Sequence, residues 1–162
     1  MDTDIIPDHK LHVIARDDDY FFGVLQSRLH EVWTVAQCSW MGVGNDPSYS
    51  SSRTFETFPF PWPPGQEPKD DQRVQAIARA AMDLVEMRDR WLHPAGTSDT
   101  DRKSRTLTNL YNQHPTWLEL AHQRLDAAVS AAYGWPDDLS DELILEKLLA
   151  LNLERARTQP SK

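Results

Sequence analysis

The residues with the clearest chemical pattern are Asp46-Pro47-Ser48-Tyr49. They approach an Asp/Asn-Pro-Pro-aromatic arrangement, in which the acid or amide holds an amino nitrogen and the ring stacks on an extruded base. Ser48 replaces the second proline, and Gly42 and Gly44, which would have to form a cofactor loop, lie at most four residues upstream. In a doubly wound sheet those two loops sit on different strands with whole βα units between them. A turn is the better reading.

Other candidates fail on spacing. His30-Glu31-Val32-Trp33-Thr34 opens like a zinc-protease helix, but Thr34 stands where the second imidazole must be, so a polar helix face is expected. Cys38, His93, His114 and His122 have no fixed ligand spacing, and no metal site is expected. Ser48, Ser50, Ser51 and Ser52 lack a nucleophile elbow. Asp17-Asp18-Asp19 and Asp137-Asp138 lie beside predicted helix starts and read as caps. No phosphate-cradling glycine loop is present. Ser50-Ser51-Ser52-Arg53-Thr54 offers hydroxyls and a guanidinium suited to phosphate oxygens and base edges.

Composition bounds what these residues can serve. The 162 residues include 17 Lys+Arg against 25 Asp+Glu, a net charge of −8. By segment the charge is −3 over 1–30, −2 over 31–66, 0 over 67–106 and −3 over 107–162, which sums to the same −8. Such a chain as a whole repels a phosphate backbone. Its one cysteine excludes a disulfide scaffold and suits a reducing compartment. No apolar run approaches the ~20 residues that cross a bilayer, and Met1-Asp2-Thr3-Asp4 is acidic where a signal peptide is basic. A cytoplasmic protein without a membrane partner is expected.

The elements that must position the candidates follow from periodicity. Residues 9–15 alternate and then turn apolar, predicting a short strand. From Tyr20 to about Gln37, Phe21, Phe22, Val24, Leu25, Leu29, Val32, Trp33 and Ala36 recur at helical intervals, predicting one amphipathic helix. Gly42, Gly44, Asn45 and Pro47 mark a turn before an extended piece, 49–61. The run 58–65 contains four prolines and reads as a stiff connector whose Phe58, Phe60 and Trp62 plug a hydrophobic groove. Helices are predicted over 71–92, as a short turn at 107–111, from Pro115 as a first-turn residue to Tyr133 with Gly134 as its cap, and after Ser140; residues 156–162 read as frayed.

The fold class is therefore α+β and mostly α: a partial strand-helix recognition unit, then a small helical bundle. The expected divisions are 1–57, a connector over 58–66, a helical domain over 67–157 and a tail over 158–162.

Several ordered segments resemble one family. Asp18-Asp19-Tyr20-Phe21-Phe22-Gly23-Val24-Leu25, Ser27-Arg28-Leu29-His30-Glu31-Val32-Trp33, Gly44-Asn45-Asp46-Pro47, Tyr49-Ser50 and the run 54–61 are similar to the end of the target-recognition region of large adenine-specific DNA methyltransferases. These are class I enzymes dependent on S-adenosylmethionine, including the MmeI-like fused restriction-modification proteins. The segments 107–112, 125–129, 132–136 and 151–155 resemble the C-terminal helical part of that family. The resemblance implies adenine-N6 methylation of double-stranded DNA, with S-adenosylmethionine as donor to the parent enzyme and none held by this chain. It assigns no catalytic residue here. It implies DNA contacts at Asn45, Asp46, Ser48, Tyr49, Ser50 and Arg53, an upstream methylase polypeptide or domain as partner, and no activity of the chain alone. The alternative is a helical protein-protein interaction module with no DNA role.

Overall fold

The computed structural model describes residues 12–41, 46–96, 98 and 103–158. In chain order these form α1 (Asp19–Leu25), α2 (Arg28–Gln37), β1 (Ser39–Met41), β2 (Asp46–Ser48), a π-helical turn (Ser51–Phe55), α3 (Gln72–Leu92), α4 (Leu107–Gln113), α5 (Thr116–Tyr133) and α6 (Asp141–Thr158). The mostly α, α+β class holds, with a two-stranded antiparallel sheet.

Four expectations change. His9, Lys10 and Leu11 lie outside the described residues, and residues 12–15 join no sheet. β1 and β2 pair with each other, while Arg16 turns the chain by bonding Asp18 and Glu67. The single helix over 20–37 is two helices. Ser27 has extended backbone and its hydroxyl folds back onto the Val24 carbonyl at 2.7 Å, so the ladder stops there although the apolar period continues.

The stretch 51–55, expected to be extended, winds into a wide helical turn. The Thr54 hydroxyl donates to the Ser50 carbonyl and Thr57 to that of Arg53, while Glu56 N–H reaches the Ser51 carbonyl at 2.9 Å. Helix α6 continues through Thr158, past the expected fraying at 156. A smaller shift places Pro115 at the cap of α5 rather than in its first turn.

Other ends match their chemistry. Asp18 accepts from Phe21 N–H and Asp71 from Arg73 N–H, each at 2.8 Å, and Gly134 ends α5 in the left-handed region at φ 71°. One hydrophobic core runs through both halves of the chain. Phe21, Val24, Leu29 and Trp33 share it with Ile77, Leu84, Leu118, Leu125, Ile144 and Leu148. Helix α1 lies so close to α3 that a Cβ on Gly23 would stand 2.8 Å from Ile77 Cγ2.

The proline-aromatic run is a strap across this core. Phe58 and Phe60 are buried, with Phe60 stacked on Phe21 at 5.0 Å, and Trp62 is half-buried. Helices α5 and α6 hold its carbonyls. Tyr133 Oη donates to Pro59 at 3.0 Å, Asn152 Nδ2 to Thr57 at 2.5 Å, and Arg155 to Phe60 at 2.6 Å and Pro61 at 3.1 Å. These side chains satisfy acceptors that a sheet would otherwise have to meet.

Candidate nucleic-acid interface

Helix α2 carries the candidate loop. The hairpin leaves its C-terminus with Ser39 opposite Ser48, Trp40 opposite Pro47 and Met41 opposite Asp46. Trp40 is 52% exposed, a large aromatic beside the loop that composition did not single out. Antiparallel pairing over three residues fixes which sides the hairpin residues present.

Tyr49 follows directly and is the loop's anchor. Its hydroxyl lies 3.4 Å from His30 Nε2, and its ring lies 5.3 Å from that of His12. His30 is buried, not on a polar face; its Nδ1 lies 3.1 Å from the Leu25 carbonyl. A carbonyl can only accept, so Nδ1 carries the proton and Nε2 accepts from Tyr49. Burial holds the imidazole at about 4, well below its ordinary 6.5, so it stays neutral at pH 7. Burial likewise pushes the Tyr49 phenol upward, keeping its proton in place. Edge-on contact of His30 with Phe58 at 4.8 Å ties this pair to the strap.

Beyond Tyr49 the loop presents hydroxyls and one cation. Ser50 and Ser52 hydroxyls are 3.2 Å apart, and Ser51 Oγ is 2.7 Å from His12 Nδ1. Arg53 is exposed, and its guanidinium has no carboxylate partner among the described residues. Thr54 is fully buried, and Trp33 Nε1 donates to Thr57 Oγ1 at 3.3 Å. The turn is thus rooted in the core while Ser52 and Arg53 face out.

Of the six expected contact residues, Ser48 ends β2, Tyr49 and Ser50 are half-buried with the Tyr49 hydroxyl turned to His30, and Arg53 is exposed. Asn45 lies outside the described residues, as does the side chain of Asp46, whose backbone pairs in β2. Sequence reasoning missed His12, His30 and Trp40. Trp40 stands close to the loop in sequence, but His12 lies 39 residues before Ser51 and His30 lies 19 before Tyr49, so nothing local links either imidazole to the loop.

The remaining candidates do not converge. Cys38 Sγ lies 3.3 Å from the Val35 carbonyl, and among the described residues no three His, Cys, Asp or Glu side chains gather as a metal site would require. The described sheet is an antiparallel hairpin without the parallel strands whose ends form a switch-point crevice, and no described residue is assigned to S-adenosylmethionine. No described helix is long and apolar enough to cross a membrane.

Residues 1–62 match the family described as "MmeI, target recognition domain". DNA methyltransferase A of Bacillus subtilis (strain 168) is 30% identical over 154 residues, covering 94% of this chain and 15% of the relative. The Type IIL restriction-modification enzyme MmeI, solved in complex with DNA, shares the fold with TM-score 0.63 and 22% identity over 87% of this chain and 17% of that one. The chain therefore spans less than a fifth of the length of either relative. None of these matches favours the reading as an interaction module without a DNA role. Residues 1–62 are thus of the MmeI target-recognition type, and most of the chain shares the fold of the matching part of that enzyme, which supports an MmeI-like recognition region.

Proposed function

We propose that this chain is the DNA target-recognition and bracing portion of a site-specific methyltransferase of a restriction-modification or phage-defence system. Residues 1–57 carry the reading loop, 58–66 strap it down, and 67–157 hold it rigid. The observation that carries the reading is the family match over 1–62, which contains every loop residue described above. Ser48, Ser50 and Arg53, in the loop that Tyr49 anchors, offer donors and acceptors of the kind that meet phosphates and base edges.

The methylase part, on the upstream polypeptide or domain, supplies S-adenosylmethionine and the reacting groups, and adenine N6 is the acceptor. Its positive groove provides most of the phosphate attraction, so a recognition region of net charge −8 is tolerated when its acidic outer face points away from DNA.

Co-purification with the methylase polypeptide, followed by methylation of mixed-sequence DNA, tests the proposal. Site-specific adenine methylation by the pair and none by either part alone is the expected result. S-adenosylmethionine bound by this chain alone in calorimetry, or submicromolar salt-sensitive duplex binding by the isolated chain, would overturn it.

A further inference from the structure

A second polar group lies at the α1–α2 junction. Arg88 of α3 donates through Nη1 to Gln26 Oε1 at 3.2 Å and to the Tyr111 phenol oxygen at 3.3 Å, with its guanidinium 5.8 Å over the Phe22 ring. The Tyr111 oxygen is 2.9 Å from His122 Nε2. Arginine can only donate, so Tyr111 accepts from Arg88 and gives its own proton to Nε2, leaving the His122 proton on Nδ1. Burial, then the charge of Arg88 and the nearby His114, holds His122 below the ordinary imidazole range.

No carboxylate pairs with Arg88, His114 or His122 among the described residues. The Nε and Nη2 donors of Arg88 have no protein acceptor among them either. His114 sits in the left-handed region at φ 42°, which a non-glycine residue adopts at a cost. A guanidinium without a counter-charge among the described residues, with unused donors beside a neutral imidazole, suits a tetrahedral oxyanion.

The cluster is also joined to the reading loop. Tyr49 bonds His30, His30 bonds the Leu25 carbonyl, and the next residue, Gln26, accepts from Arg88. We propose that Arg88, with Tyr111 and His122, forms a phosphate-binding cluster that takes a backbone phosphate of duplex DNA. This rests on the DNA-reading function proposed above. Such a contact fixes the register of the loop on the duplex without itself reading sequence.

Two measurements test it, the first on the 162-residue chain and the second on its complex with the methylase polypeptide. Inorganic phosphate, followed by NMR of the His122 imidazole, is expected to raise that group's titration midpoint, and Arg88→Gln to abolish the response. Duplex binding by the complex with the methylase polypeptide is then compared for the parent chain, R88Q and H122Q. Losing one phosphate contact lowers the slope of log affinity against log salt by about 1 and leaves sequence preference intact. An unmoved His122 overturns the cluster. A phosphate response with an unchanged slope assigns it to free anions and overturns the DNA contact. If the slope falls although the complex prefers no sequence, the cluster stands and the reading function fails.

Discussion

The backbone amide of Arg28 donates to the Asp126 carboxylate at 2.8 Å, joining residues 98 positions apart. Ser27 stands at the cap position of α2 but makes no side-chain cap bond, so Asp126 of α5 does that work. The Arg28 guanidinium meanwhile reaches Asp141 at 2.5 Å and the Leu139 carbonyl at 3.1 Å. One residue thus ties the start of α2 to both C-terminal helices.

Asp126→Ala is expected to cost about 1–2 kcal/mol, as other lost helix caps do. Asp126→Asn keeps an accepting oxygen and should lose less than half of that. Burial raises the Asp126 carboxyl above its ordinary range, so the folded state binds its proton more tightly than the unfolded state. Its contribution is present below the unfolded value and is lost as pH rises through the folded one, so D126N gains on the parent as pH rises. Urea midpoints at about pH 4 and about pH 7 check both statements.

His30 has the opposite sign. Its folded value of about 4 lies below the unfolded 6.5, so the unfolded chain binds the extra proton between them. Stability is full above 6.5 and falls by roughly 3 kcal/mol as pH drops to about 4. His30→Gln, which lacks the titration, should flatten this slope. It should also weaken duplex discrimination if Tyr49 is displaced, which competition between cognate and scrambled duplexes would read.

Gly23→Ala sets two effects against each other. Helix propensity favours alanine by about 1 kcal/mol. The added methyl would meet Ile77 Cγ2 at 2.8 Å and Ala81 Cβ at 3.1 Å, and both residues are fully buried on α3. Overpacking of this kind costs about 1–3 kcal/mol, so net destabilisation is expected. Thermal unfolding decides the sign.

Arg155→Met keeps the stem of the side chain but removes the donors to the Phe60 and Pro61 carbonyls. A loss of about 1–3 kcal/mol is expected. Faster proteolysis within 58–66 than elsewhere would show that the loss is in the strap.

The long helices were legible because their apolar residues keep one period from cap to cap, as in α3 between Asp71 and Leu92. The break at Ser27 was not, because Leu25 and Leu29 remain in phase across it and the decisive partner, Asp126, is remote in sequence. In the π-helical turn, Ser50/Thr54 and Arg53/Thr57 stand four apart, a back-bonding pattern that also fits a strand edge. The burial of His30 was not legible, since Tyr49 and Phe58 reach it only through tertiary folding.

The strap sets where this molecule can be recut. Phe58 and Phe60 belong to the shared interior, and α5 and α6 grip the intervening peptide groups, whereas 63–66 lies open to water. A chimera exchanging the reading segment for one of another specificity would tear its own interior if spliced at residue 57. Spliced at 63–66, the donor brings its aromatics along, and success depends on whether the host retains Asp126, Tyr133, Asn152 and Arg155 to receive them.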